Sequence, residues 1–213
     1  MKKDVEKFGF FSADTNKFYQ LLPTDTWPTI LISGIRMHRT KNTDPRRDTL
    51  QKLHTLGKIY GKILDTCAGL GYTAILAAKR KSVDEVITLE KDKNVIKIAK
   101  QNPFSKELFN NPKIKLVIID AFIGIRMFPQ QYFDFIIHDP PRISLAHELY
   151  SQEFYLQLSR VIKNDGRMFH YIGEPGVKQG KNYLKGIVKR LTLAGFKKVI
   201  KARQAMGLLC SKA

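Results

Sequence analysis

Cysteine is scarce. Cys67 and Cys210 are the only two in 213 residues. Two cysteines make neither a disulfide framework nor a zinc set, and they fit a reducing, cytoplasmic setting. No run approaches the roughly 18 apolar residues that suggest a membrane span, so none is expected. The opening MKKDVEKFGF carries lysines but no apolar core, so no secretory signal is expected. Acid is missing where base is abundant: from Pro175 to Ala213 there is no Asp or Glu, but there are ten Lys or Arg. Repeats, low-complexity tracts and linkers are absent. So is any cluster of residues at metal-ligand spacing, and no metal is expected.

What is present is a chain of 43% hydrophobic residues, enough for one domain with its own core. From residue 45 onward, strand and helix patterns alternate. Strands are expected at 62–66, 85–90, 113–120, 132–139 and 166–172. Helices are expected after the first, second and fourth of these, and a short one after the third. The helix over 91–102 places Val95, Ile98 and Ala99 on one face, and the helix over 148–162 places Phe154, Leu158 and Val161 inward. A further helix rests on Leu184, Ile187, Val188 and Leu191 and stops at Gly195. Two extended segments meeting near Gln204 close the chain. Strand–helix repetition implies a parallel sheet with helices on both faces. Five strands plus a terminal antiparallel hairpin give an α/β, doubly wound, seven-stranded, mostly parallel Rossmann-like sheet. Residues 1–40 break the pattern around Pro23 and Pro28. They read as an extended appendage that covers or shapes the acceptor site of the domain formed by 41–213.

In such a sheet ligands lie beyond the carboxyl ends of the strands. Those ends are Asp65, Glu90, Asp120, Asp139 and Ile172, four acids in five. LDTCAGLGYTA contains Gly69, Gly71 and Ala74 in the G-x-G-x-x-G/A spacing, and Glu90 lies nineteen residues beyond Gly71. Glycines permit the tight turn, and an acid on the next strand can accept from both ribose hydroxyls. That spacing suits a dinucleotide or S-adenosylmethionine (SAM). Asp65 separates the two: it would repel a pyrophosphate but attract the ammonium and sulfonium of SAM. No second domain for a dehydrogenase substrate is expected within these residues.

On Asp65, Cys67, Gly69 and Gly71, an acid followed by small residues at +2, +4 and +6, the chain resembles the class I SAM-dependent methyltransferases over residues 45–213. The resemblance implies that Glu90 binds the ribose diol and that Asp120, followed by Ala121, accepts from the adenine amino group. Cys67, Gly69, Gly71 and Tyr72 would line the cofactor loop. DTCAGLGYTA, NPFSKELF, IIHDPPR, ELYSQEFY and FHYIGEPG together look like a group of predicted archaeal methyltransferases, some labelled spermine-synthase-like.

FDFIIHDPPR marks the acceptor side. Asp139 stands at the fourth strand end, and Pro140 and Pro141 hold an extended backbone without N–H donors. Carbonyls near them are free to accept from a substrate amine. In-line positioning of an already activated methyl group supplies much of the rate. The pattern resembles the D-P-P-aromatic tetrad of enzymes that methylate exocyclic amines of bases, with Arg142 replacing the ring; a guanidinium can also stack. His138 and His170 end neighbouring strands, where His138 is either a general base or held by backbone. Cys67 reads as a packing residue. The net charge of +18 adds a polyanion to the expected partners. The resulting expectation is methylation of an RNA nitrogen, with RNA held by basic segments 36–62 and 178–203, the latter including a stripe of Lys178, Lys181, Lys185 and Lys189. A small-molecule methyltransferase and a spermidine/spermine-synthase-like aminopropyltransferase are the alternatives.

Overall fold

The computed structural model describes residues 7–173 and 177–212. Four short strands come first: β1 (Phe8–Ser12), β2 (Lys17–Leu22), β3 (Thr29–Ile32) and β4 (Ile35–Arg36). They form an antiparallel sheet in sequence order. Its inner face buries Tyr19, Leu21 and Ile30, each burial contributing roughly 1.5–3 kcal/mol.

The main unit runs α1 (Pro45–Leu56), β5 (Gly61–Asp65), α2 (Tyr72–Ala78), β6 (Val83–Glu90), α3 (Lys93–Gln101), α4 (Lys106–Asn110), β7 (Ile114–Ile118), α5 (Ala121–Gly124), β8 (Phe133–His138), α6 (Gln152–Val161), β9 (Ile162–Tyr171), α7 (Val177–Leu193), β10 (Lys198–Ala202) and β11 (Gly207–Ser211). Its seven strands are ordered β10-β11-β9-β8-β5-β6-β7. The pairings β8/β9, β5/β8, β5/β6 and β6/β7 are parallel, and β11 is antiparallel to both neighbours. The doubly wound sheet with a terminal hairpin is therefore present. Every residue of β8 is buried, as a central strand covered on both faces should be. Phe154, Leu158 and Val161 of α6 and Val95, Ile98 and Ala99 of α3 are buried, as their periodicity requires.

Two differences from the sequence reading bear on the site. Residues 45–56 form a helix that hydrophobic periodicity did not reveal. Its start is coded locally: the Asp44 side chain accepts from the Arg47 N–H and Pro45 occupies the first turn, while Gly57 at φ +72 ends it. The N-terminal sheet, in turn, packs on the glycine-loop side. Tyr19, Leu21 and Ile30 meet Leu70, Tyr72 and Ile75, and also Val95, Ile98 and Ala99 of α3. The Tyr19 hydroxyl donates to Asp92 Oδ2 at 2.6 Å, joining the sheet to the N-cap of α3.

Candidate functional site

Strand register sets the site. Asp65 pairs across from Ile137 on one side and Thr88 on the other, so the ends of β5, β6 and β8 lie together. The chain leaves β5 through Thr66 and Cys67 into a loop with Gly69 at φ +54 and Gly71 at φ +78. The two glycines do different work. A Cβ on Gly71 would lie 2.8 Å from both terminal carbons of Leu108, whereas one on Gly69 would meet open space. Gly71 lets the loop close on the protein, and Gly69 leaves backbone open to a ligand.

Glu90 braces this loop. One carboxylate oxygen accepts from the Gly69 N–H and the other from the Asp92 N–H, both at 2.9 Å. Burial raises its pKa, and these backbone donors oppose the rise. Asp65 is fully buried. Its Oδ2 accepts from the hydroxyls of Thr73 (3.1 Å) and Thr88 (2.9 Å), but Oδ1 has no partner. Burial pushes its pKa up to about 7; the Thr88 and Thr73 hydroxyls pull against that, while Asp139 and Glu90 add to it. An unpartnered buried carboxylate oxygen beside a glycine loop leaves an acceptor that an incoming cationic group could satisfy. Asp120 caps α5 by accepting from the Phe122 N–H at 2.8 Å, and its other oxygen lies 3.4 Å from Lys91 Nζ. Ala121, buried, begins α5. Cys67 is partly buried, with its thiol held well above the usual range by burial and by Glu90 and Asp65. These residues fit a nucleoside that carries a positive charge near Asp65.

Tyr72 does not belong with them. Its ring packs 4.7 Å from Trp27, and its hydroxyl donates to the Pro28 carbonyl at 2.9 Å and accepts from Asn102 at 2.8 Å. Its side chain pins the N-terminal sheet to α2 and to the end of α3, where Asn102 is the C-cap, and is not free to meet a cofactor.

Asp139 is engaged as the sequence did not suggest. Its Oδ2 lies 2.6 Å from Lys52 Nζ, which also lies 2.8 Å from Asp48 Oδ2. Arg39 closes the chain of charges, 2.9 Å from Asp48 Oδ1. Burial works to lower the pKa of Lys52, but Asp139 and Asp48 outweigh it and hold it above the ordinary lysine value. The Lys52 ammonium also stands 4.8 Å from the centre of the Tyr171 ring. Lys52 falls within basic segment 36–62, expected to hold RNA, but helix α1 turns it inward, one turn after Asp48. That i, i+4 spacing, with Pro45 at the helix start, was the available signal.

His138 is fully buried, Nδ1 2.8 Å from the Thr66 hydroxyl and Nε2 3.0 Å from the Leu149 carbonyl. Burial lowers its pKa to about 3. With both nitrogens occupied, a general-base role is not open to it; it fastens the end of β8 to the segment after the Pro-Pro turn. His138 and His170 do meet, ring centres 4.4 Å apart, but inside the core. Pro140 is buried, Arg142 is exposed, and the Pro141 carbonyl already accepts from the Tyr150 hydroxyl at 2.9 Å.

Among the described residues, the lysines of the basic segments lie at different ends of the sheet. Lys52 is buried, while Lys58 and Lys62 flank Gly61 at the amino end of β5, opposite the end bearing Asp139. Lys198 likewise lies at the amino end of the sheet, by its register with Ser211 and Arg167. Lys185 and Lys189 are exposed on α7; the side chains of Lys178 and Lys181 lie outside the described residues.

The strand order, the glycine loop after the first main-sheet strand and the acid ending the next define a class I methyltransferase-like protein. Within that class, residues 68–197 match the model described as the spermine/spermidine synthase domain, and the chain belongs to that family. It is 49% identical over 212 residues to an uncharacterized protein of Methanocaldococcus jannaschii, covering 99% of this chain and 72% of that one. It is 33% identical over 106 residues to a polyamine aminopropyltransferase of Sulfurisphaera tokodaii, covering 48% of this chain and 35% of the relative. It is 24% identical over 167 residues to putrescine N-methyltransferase 2 of Nicotiana attenuata, covering 76% and 45%. The chain thus spans less than half the length of those two relatives. Among solved structures, a spermidine synthase in complex with the transition state analogue AdoDATO superposes with a TM-score of 0.78 at 20% identity, over 97% of this chain and 73% of that one. The spermidine synthase of Thermotoga maritima gives 0.74 at 19% identity, over 97% and 72%. At such identities the likeness is one of fold.

Proposed function

We propose that the chain transfers an alkyl group from a sulfonium nucleoside, SAM or its decarboxylated form, to a nitrogen nucleophile. The observation that carries this is the unpartnered, buried Oδ1 of Asp65, one strand away from Asp139 at the same end of the sheet. The named relatives include both aminopropyl and N-methyl transferases, which supports the shared chemistry without choosing the group. The sulfonium supplies an activated carbon: the C–S bond breaks as the C–N bond forms, sulfur keeps the electron pair, and the nitrogen sheds a proton. Asp65 seats the donor's ammonium, Glu90 takes the ribose diol once it releases the Gly69 N–H, and Asp120 faces the base. Asp139 offers the oxygen that Lys52 does not hold to the acceptor N–H, and its side chain is 21% exposed. Most of the rate then comes from positioning.

Calorimetric titration with each donor, followed by mass spectrometry of amine acceptors, tests the reading. Saturable binding of one donor and an alkylated product are expected. Binding of neither donor defeats it. Methylation of an RNA nitrogen is the second reading, and the net charge of +18 favours it, with Arg36, Lys41, Arg46 and Arg47 exposed ahead of or on α1. RNA affinity should then fall with log salt by about 0.7 per phosphate contact. An RNA affinity indifferent to salt removes it.

A further inference from the structure

We propose that Lys52 is a specificity-determining residue that occupies the cation seat at Asp139, so that the acceptor nitrogen entering the site is uncharged and a polyamine ammonium is excluded. The proposal deepens the alkyl-transfer reading and rests on it.

Four charged side chains meet behind the acceptor position. Arg39 and Lys52 carry two positive charges, and Asp48 and Asp139 two negative ones. The set is balanced before any substrate arrives. Lys52 is only 5% exposed and Asp48 1%, so solvent does little to screen them. Both lie on α1, four residues apart, and the helix holds the ammonium in place rather than leaving it on a free stem. Arg39 fixes Asp48 in turn and also donates to the Gln204 carbonyl at 2.8 Å, bringing the turn between β10 and β11 into the same cluster.

A diamine acceptor brings a second ammonium that needs a carboxylate. Here the carboxylate nearest the transfer point already has its ammonium, 2.6 Å away and supplied by the protein. A substrate cation would have to displace Lys52 into a buried position facing one remaining carboxylate, or sit beside it against like charge. A neutral nitrogen that carries an N–H, such as an aromatic amine, meets no such penalty. It donates one N–H to the free oxygen of Asp139, whose plane Lys52 fixes. Lys52 is therefore a positioning group as well as a barrier.

The test is putrescine binding to the full chain, by calorimetry with and without 5′-methylthioadenosine filling the donor side. Putrescine affinity of the wild-type protein is expected to be in the millimolar range or weaker. The charge-balanced variant Lys52→Met/Asp48→Asn should bind putrescine about 10- to 100-fold more tightly, the gain of one charge-assisted contact. Lys52→Arg should retain exclusion. Asp139→Asn, which leaves the Lys52–Asp48 pair intact, should change putrescine affinity by less than about threefold, because Asp139 is already neutralised. Submillimolar putrescine binding by the wild type overturns the proposal. So does a double variant that binds no better, or a tenfold loss in Asp139→Asn. The nucleoside titration separates the two claims: its failure counts against the donor reading, whereas the putrescine series without nucleoside still decides the role of Lys52.

Discussion

Replacing Asp65 by Asn separates a binding role from a structural one, because the two move in opposite directions. If Oδ1 seats the donor's ammonium, the variant loses a charge-assisted hydrogen bond of roughly 1.5–3 kcal/mol, a weakening of about 10- to 100-fold. The free protein should gain. The folded-state pKa of Asp65 is raised from 3.8 to about 7. Folding therefore retains a proton that the unfolded chain has lost, and stability falls as pH rises from about 4 to about 7. Roughly three pKa units at about 1.4 kcal/mol each set an upper figure near 4 kcal/mol. Asn keeps the shape, lets the Thr73 and Thr88 hydroxyls reorient, and removes that loss. Urea unfolding at pH 5 and pH 8 should show the wild type losing stability relative to Asp65→Asn across that range. Calorimetry at pH 8 should show the variant's donor affinity reduced. Donor affinity in the wild type should itself rise between pH 6 and 7.5, most clearly with decarboxylated SAM, whose amine stays protonated throughout. Unchanged donor affinity in Asp65→Asn refutes the seat, and parallel pH profiles for the two proteins refute the account of the buried carboxylate.

Glu90→Ala should weaken donor binding about 10- to 100-fold by loss of charge-assisted contacts to the ribose, read by the same calorimetry. Asp139→Ala should lower kcat while leaving donor affinity within a few-fold, a split that single-turnover kinetics resolves. Gly71→Ala combines φ +78 with a 2.8 Å approach to Leu108 and should cost about 1–3 kcal/mol in urea unfolding. Gly69→Ala, whose Cβ enters open space, should instead show its larger effect on donor affinity.

The sheet was legible because its strands are short apolar runs separated by amphipathic helices, and the central ones behave as buried parallel strands do. The carboxyl-end acids were legible for the same reason: once β5, β6 and β8 are placed, Asp65, Glu90 and Asp139 share a rim. Helix α1 was not, because its polar first half masks the apolar periodicity. Only its caps, Asp44 with Pro45 and Gly57, announce it. Without that helix, nothing in the basic segment distinguishes Lys52 from its neighbours. Tyr72 and His138 show a second limit. Sequence position put both beside the site, but burial and hydrogen-bond partners decide what they do. Those partners, Pro28 and Asn102 for one and Thr66 and Leu149 for the other, are remote in sequence or in another element. The basic runs are legible as charge, but sequence does not say which end of a strand a lysine will flank.

The central claim is that Asp65, the glycine loop and Glu90 hold a sulfonium nucleoside for transfer to a nitrogen. Calorimetric titration of the full chain at pH 8 with SAM and with decarboxylated SAM tests it most directly. The account predicts saturable single-site binding of at least one of them, lost about 10-fold or more in Asp65→Asn. Absence of binding of both at millimolar concentration, or equal binding by the wild type and the variant, would contradict it.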